Sequence, residues 1–170
     1  MKCVTDTGPP SWLARIDYLD LLPKIYERIY APPAVFRELE PHIATWEFMN
    51  THVVPINFGS QRDRKRFEYL VNRWKKKVGL NDTADIEVFI GYKFFTDADE
   101  ALYANNEAEE KLSHYGSVRD IYKLYELAEE RGIFKTEDSI NYLESLLNLD
   151  PPYRPKIIRE SIEKLKKRLA

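Results

Sequence analysis

The chain has 170 residues, of which 44% are hydrophobic and 32% charged, and its formal net charge is −2. This composition is typical of a soluble globular protein of one domain, and the charge argues against bulk electrostatic coating of nucleic acid. We find no apolar run near about 18 residues and no signal-like leader, so neither a membrane span nor secretion is expected. The single cysteine, Cys3, forms no intrachain disulfide, which favours a cytoplasmic location.

The first third of the chain alternates short strand-like runs with helical patterns. Lys2–Thr5 predicts a strand, the turn Gly8-Pro9-Pro10 opens a helix, and Ile29-Tyr30 predicts a second short strand. Residues 53–56 predict an edge strand, because Pro55 cannot donate to a central ladder. This alternation is typical of an α/β fold with a parallel sheet.

The middle of the chain predicts a long amphipathic helix over residues 62–78, where apolar residues recur at helical spacing. A helix over about residues 83–92 follows, and the apolar run at residues 94–96 predicts another strand.

Helical patterns dominate the rest of the chain. One predicted helix carries Ala101 near its start, and the next carries Val118. We therefore interpret residues 1–170 as a single domain, with an α/β core over residues 1–116 and an all-helical part over residues 117–170.

Two of the predicted strands end on a carboxylate. Asp6 follows the first strand, and Asp97 follows residues 94–96, with Asp99 two positions later. Ligands of parallel sheets bind outside the carboxyl ends of the strands, so these acids are expected to converge. Converging carboxylates repel each other unless a cation neutralises them, which predicts a divalent-metal site. The structural alternatives are a turn or cap at Asp6, and a helix cap at one of the other two acids.

Two further acids lie on predicted helices. Glu38 alone is typical of an exposed helix surface, and Glu40 would serve equally well. Asp85 lies in the first turn of its helix, where the helix dipole favours an acid without any metal. The position of either residue therefore does not separate a structural from a functional role.

Basic side chains crowd the long amphipathic helix and form a candidate RNA-binding surface. The candidates are Arg62, Arg64, Lys65, Arg66 and Arg73. A solvated outer face is the alternative to a phosphate-contacting rim, because the helix already has an apolar inner face. Histidines show no metal-ligand spacing, and no serine-histidine-aspartate order, Walker loop or dinucleotide-binding pattern occurs, so carboxylates remain the reactive cluster.

Five motifs, in this order, resemble those of PIN-domain ribonucleases, in particular the small prokaryotic branch related to VapC-like toxins. The motifs are Val4-Thr5-Asp6-Thr7-Gly8-Pro9, residues 29–39, Ala84-Asp85-Ile86, Phe94-Phe95-Thr96-Asp97 and residues 114–133. The resemblance implies a three-layer α/β/α fold with a central parallel sheet and an additional helical C-terminal tail. Ala98 departs from the family, which often has a second acid there, so the fourth acid is either Asp97 or Asp99.

The resemblance also implies an endoribonuclease that depends on Mg²⁺ or Mn²⁺. Its catalytic acids would be Asp6, Glu38, Asp85 and Asp97, and its metal ligands Asp6, Asp85, Asp97 and Asp99. Thr7 and Thr96 are expected to hydrogen-bond the acids that they adjoin. The implied partners are an RNA substrate, an antitoxin protein and a second copy of the chain in a homodimer.

Two alternatives to the nuclease remain. One is a catalytically weak or inactive RNA- or partner-binding module. The other is a phosphotransferase of the haloacid-dehalogenase type, which a strand followed by Asp97-x-Asp99 would suggest. The second is disfavoured, because the strand comes late in the chain and the helix after it is rich in alanine.

Overall fold

The computed structural model describes residues 1–39 and 43–170, with side chains for residues 1–39 and 45–170. Five strands of this part form one parallel sheet in the order β3-β2-β1-β4-β5. They are β1 (Lys2–Thr5), β2 (Arg28–Ala31), β3 (Val53–Pro55), β4 (Glu100–Tyr103) and β5 (Val118–Asp120). The predicted α/β class with a central parallel sheet is confirmed.

Helices join the strands and complete the chain. They are α1 (Gly8–Arg15), α2 (Leu21–Ile25), α3 (Pro33–Leu39), α4 (Ile43–His52), α5 (Gln61–Val78), α6 (Thr83–Ile90), α7 (Asn106–Leu112), α8 (Leu124–Glu130), α9 (Thr136–Leu147) and α10 (Pro155–Leu169). Every residue of β4 is buried, so helices cover both faces of the sheet in a three-layer α/β/α arrangement with a helical C-terminal tail. Within the described residues, no helix is long and apolar enough to cross a membrane.

The long helix α5 forms where the sequence predicts it. Ser60 caps its first turn by accepting a hydrogen bond from the Asp63 N–H at 3.2 Å. Its last turn ends at Gly79, whose φ of 70° is the left-handed conformation that glycine adopts most readily. The buried side chains of Phe67 and Trp74 lie on the inner face of α5, which packs against α6 and the segment after it.

The strand order places a topological switch beside the central strand β1. From β1 the chain continues outward through β2 and β3, and it later returns to the other side of β1 as β4 and β5. In open parallel sheets, ligands bind in the crevice at this switch, outside the carboxyl ends of the strands. The residues directly after β1 and β4 therefore flank the crevice, and the Asp6 N–H extends the β1–β4 pairing by donating to the Leu102 carbonyl at 3.0 Å.

The strand predicted at residues 94–96 is wrong. Gly91–Phe95 forms a π-helical turn that continues α6, and Phe95 packs its ring against Phe67 at a centroid distance of 5.4 Å. The run is apolar because this helical extension is buried, and short apolar runs do not distinguish a buried helix from a strand.

Two predicted helix starts are strands instead. β4 includes Ala101, and β5 begins at Val118, so the helical part of the chain starts after Asp120. Glu100, at the start of β4, gave this segment a helical composition. It is nevertheless buried, because Arg119 of β5 donates to its carboxylate at 2.8 Å.

A buried ionic cluster joins the C-terminal helices to the sheet. Asp120 ends β5 with no exposed surface and accepts hydrogen bonds from the Tyr153 hydroxyl at 2.7 Å and the Arg154 guanidinium at 3.0 Å. The same guanidinium reaches Glu109 of α7 at 3.3 Å and donates to Asn106 at 2.8 Å. The segment between α9 and α10 is thereby held at the edge of the sheet.

Arg154→Met is expected to lower the free energy of unfolding by about 2 kcal/mol, because it leaves the buried Asp120 carboxylate without its cation. The cost stays moderate, since Tyr153 still donates to Asp120. Thermal unfolding should show Tm reduced by roughly 4–8 °C. Arg159→Met, which changes an exposed arginine on α10, the helix that Arg154 precedes, serves as the control, and equal Tm values for the two variants would contradict the role of the cluster.

Candidate active site

Two carboxylates lie in the crevice at the switch. Asp6 follows β1 and is 8% exposed, and Asp85 lies in the first turn of α6 and is 3% exposed. The cap of α6 is a different residue, since Asp82 accepts hydrogen bonds from the N–H groups of Ala84 at 2.9 Å and Asp85 at 3.3 Å. The side chain of Asp85 is therefore not used as the helix cap and faces Asp6 instead.

Burial makes this pair electrostatically unfavourable when both members are charged. Burial raises the pKa of Asp6 to about 6, and the hydrogen bond from Asp85 offsets part of that effect. Burial, followed by the charge of Asp6, raises the pKa of Asp85 to about 8. Near neutral pH the two side chains therefore share a proton unless a cation neutralises them.

Glu38 of α3 flanks the pair from the exposed side. Its carboxylate accepts a hydrogen bond from the Thr7 hydroxyl, and Thr7 directly follows Asp6. Its negative charge contributes to the raised pKa of both Asp6 and Asp85, so all three carboxylates lie within electrostatic range. Glu40, the alternative acid on this segment, lies outside the described residues.

An asparagine that the sequence reasoning missed stands at the end of β4. The Asn105 amide donates to the Asp85 carboxylate at 2.8 Å. Its carbonyl oxygen accepts from the N–H groups of Glu107 at 3.0 Å and Ala108 at 3.3 Å, which caps α7. The sequence pattern predicts one continuous helix here, which hides the helix start at Asn105. An asparagine just before a helix is a recognisable cap and is the signal that could have found it. A neutral amide thus occupies the strand end beside Asp6.

Asp97 and Asp99 lie at the opposite edge of the sheet, which corrects their assignment to the site. Asp97 pairs with the Lys2 ammonium at 2.5 Å and accepts from the Tyr30 hydroxyl at 2.6 Å, and Asp99 accepts from the Lys2 N–H at 2.7 Å. Lys2 begins β1 and Asp6 follows its end, a separation of roughly 13 Å along an extended strand. The two acids precede β4, whereas a site at the carboxyl edge needs residues that follow it.

Thr96 shares this displacement. Its hydroxyl donates to the Gly91 carbonyl at 3.0 Å and accepts from the Ala98 N–H at 3.3 Å. It therefore closes the turn after the π-helical segment, and its hydroxyl bonds to backbone groups and not to any acid that the structure describes. The hydrogen bond from Lys2 is the largest of the effects that lower the pKa of Asp97 to about 2, as expected for an ion-paired acid.

The basic candidates on α5 do not form one cluster. Arg64 lines a cavity beside α3 and α6, whereas Arg66 lies over the Phe95 ring at 5.3 Å from its centroid. Arg73 lies on the outer face of the helix near Tyr69. Arg62 and Lys65 are exposed. Of the five, Arg64 is the one on the side of α5 that adjoins the acids.

The carboxylate pair fits a divalent cation of the kind the resemblance implies. In the described part of the chain, no three His, Cys, Asp or Glu side chains are grouped closely enough to hold a metal by themselves. Mg²⁺ needs fewer protein ligands than that, since it keeps several waters and is typically held by one or two carboxylates. Asp6 and Asp85 supply two such groups, and their mutual repulsion is the force that a cation would relieve.

The metal-free protein is expected to lose stability as the pH rises from about 5 to about 8. Both acids have pKa values above the ordinary value of 3.8, so the folded protein binds more protons than the unfolded chain across this window. Added Mn²⁺ should raise Tm more near pH 8 than near pH 5, because both carboxylates are then available to it. Thermal unfolding with and without Mn²⁺ measures this. Asp6→Asn should flatten the pH dependence, and a metal-free Tm that rises over the window would contradict the proposed repulsion.

Comparison with known proteins identifies a family whose model matches this chain. Residues 2–87 match a family model described as a PIN domain. The matched segment includes β1, β2 and β3 together with Asp6, Glu38 and Asp85, and it ends before β4. No curated protein and no solved structure matches the chain.

Proposed function

Because the chain belongs to the PIN-domain family, whose members are generally nucleases, we propose that it is a divalent-metal-dependent endoribonuclease. The buried Asp6–Asp85 pair at the carboxyl edge of the sheet is the observation that carries this proposal. A nucleic-acid backbone is anionic and would not approach two free carboxylates, but it would approach a cation that they hold.

Each side chain of the site has a separate role in this proposal. Asp6 and Asp85 would hold Mg²⁺ or Mn²⁺, and the Asn105 amide orients Asp85 through its 2.8 Å hydrogen bond. When bound, the ion lowers the pKa of a water and offsets the charge of the phosphodiester. Glu38, fixed by Thr7 and open to solvent, is positioned to accept a proton from the attacking water. Attack by water on phosphorus, with breakage of the bond between phosphorus and the 3′-oxygen and protonation of that oxygen, would leave a 5′-phosphate and a 3′-hydroxyl.

The purified chain should cleave single-stranded RNA in Mn²⁺ or Mg²⁺ and lose this activity in EDTA. The ends of the products identify the chemistry, since 5′-phosphate ends accept ligation without prior phosphorylation. Cleavage that persists in EDTA, or products with 2′,3′-cyclic ends, would contradict a metal-assisted attack by water.

A second candidate function, an RNA-binding module without cleavage, is favoured by one observation. Asn105 stands where a further carboxylate would complete the acidic site, and it contributes no oxygen to a metal because its carbonyl caps α7. Binding of RNA without cleavage, together with no binding of Mn²⁺ in calorimetry, would favour the module over the nuclease.

The five-motif resemblance supports a narrower version of the nuclease proposal. In this version the protein is the toxin of a toxin–antitoxin pair or an RNA-processing nuclease, acts in the cytoplasm, forms a homodimer, and is inhibited by an antitoxin protein. Growth arrest on expression of the chain, relieved by Asp6→Asn, would support the toxin role. A single monomeric species in analytical ultracentrifugation would contradict the homodimer.

A further inference from the structure

A cavity of about 290 Å³ lies between α3, α5 and α6, and two of these helices also carry site acids, Glu38 on α3 and Asp85 on α6. Two phenylalanines give it an apolar wall, since the partly exposed ring of Phe58 contacts the buried ring of Phe67 at a centroid distance of 4.7 Å. Its volume is close to the lower limit for small-ligand pockets, so it has room for a single small group. The aromatic wall favours a planar one.

Four charged side chains of both signs line the same cavity. They are Arg37 of α3, Arg64 and Glu68 of α5, and Glu87 of α6. Across the described residues, none of the four makes a side-chain hydrogen bond or an ion pair within 4 Å. Arg37 and Glu87 interact electrostatically without forming an ion pair within 4 Å, so the hydrogen-bonding capacity of all four groups is open to a ligand.

The cavity adjoins the acids through two elements. Arg37 immediately precedes Glu38 on α3, and Glu87 lies two residues after Asp85 on α6. These two helices therefore carry both site acids and part of the cavity wall. An RNA strand whose phosphate reaches the Asp6–Asp85 pair would run along the same two helices that wall this cavity.

We propose that the cavity binds a guanine base of single-stranded RNA beside the cleaved phosphodiester. Among the bases, guanine presents two donors, N1–H and N2–H₂, together with two acceptors, O6 and N7. Glu87 and Glu68 can accept from the donors, and Arg64 and Arg37 can donate to the acceptors, as arginine does to guanine in other complexes. Phe58 provides the aromatic surface on which unpaired RNA bases stack. This inference rests on the proposed nuclease function for its choice of RNA.

Binding of short RNA in EDTA tests the pocket without any cleavage, and because the probes carry equal backbone charge, repulsion by the metal-free carboxylates is common to all of them. The probes are labelled uridine oligoribonucleotides that contain one guanosine, one adenosine or one cytidine, and fluorescence anisotropy gives the affinity of the full chain for each. We expect the guanosine probe to bind about tenfold more tightly than the other two. Glu87→Ala and Arg64→Ala should each remove most of this preference, measured as the ratio of the guanosine to the adenosine affinity, in which a charge effect common to both probes cancels.

Arg66→Ala is the matched control, because Arg66 lies on the same helix but over Phe95 rather than in the cavity. It should keep the guanosine preference. Equal affinities for all three probes, or a preference that survives both cavity substitutions, would overturn the inference. Metal-dependent cleavage is measured separately, so a negative result for guanine binding would leave the proposed nuclease function untouched.

Free GMP distinguishes an RNA strand from a mononucleotide as the source of the base. We expect GMP to compete with the labelled probe only at much higher concentration than the unlabelled guanosine oligomer does. Displacement by GMP at lower concentration than by the oligomer would overturn the assignment to RNA, since the pocket would then prefer a free nucleotide.

Discussion

Asp6→Asn is expected to reduce metal-dependent RNA cleavage by more than about 100-fold, because it removes a direct ligand and not an outer partner, whose loss costs about 10–100-fold. The fold should remain intact. The substitution also removes the charge that repels Asp85, so the metal-free variant should be at least as stable as the unaltered chain near pH 8. Initial cleavage rates in Mn²⁺, together with Tm, measure both effects.

Asp97→Asn is the matched control for this prediction. It changes the same chemical group on an acid that the sequence motifs also marked, but one that pairs with Lys2 at the far edge of the sheet. Cleavage by Asp97→Asn should stay within about twofold of the unaltered chain, because the pair is exposed and weak. Loss of cleavage in Asp97→Asn with retention in Asp6→Asn would move the active site to the opposite edge.

Asn105→Asp is expected to raise the affinity for Mn²⁺ by about 10–100-fold. This is the range by which mutation of a residue that hydrogen-bonds a metal ligand usually changes metal affinity. The aspartate would add a third carboxylate to Asp6 and Asp85 while still capping α7, since Asp and Asn cap helices equally well. Without metal the variant should be less stable, because Asp85 loses a donor and gains a repelling charge. Calorimetric titration with Mn²⁺ gives the affinity directly.

Asn106→Asp provides the comparison for that gain. It introduces the same charge one residue later, where the side chain contacts Arg154 instead of Asp85. It should leave Mn²⁺ affinity unchanged. If Asn105→Asp also leaves the affinity unchanged, the end of β4 does not face the metal.

The sequence predicted the parts of the site that lie on strongly patterned elements. β1 and its following acid are recognisable because a short β-branched run stops at Asp6 and a Gly-Pro-Pro turn follows. The amphipathic pattern of α5 is equally clear, with Phe67 and Trp74 on its buried face. Spacing alone does not show whether Asp82 or Asp85 caps α6. The structure shows that Asp82 is the cap, which leaves the Asp85 side chain free of that role.

The error at β4 has a physical origin. Buried strands usually contain β-branched and aromatic residues, yet β4 begins with Glu100 and Ala101, which are uncommon in strands. Glu100 is tolerated there because Arg119 and Tyr26 both donate to its carboxylate, partners that are distant in sequence. Meanwhile the π-helical turn before it has the aromatic composition of a strand. Tertiary contacts, which local pattern does not contain, decided both elements.

The position of β1 has a consequence for how the chain can be divided. This first strand pairs on one side with β2 and on the other with β4, so that Cys3 lies opposite both Ile29 and Glu100. A fragment limited to residues 2–87 would contain all three site carboxylates and still expose one whole edge of β1, an arrangement that promotes aggregation. During synthesis, β1 likewise remains half-paired until β4 has been made. The smallest unit that can hold Asp6 in place is therefore longer than the segment that carries the acids.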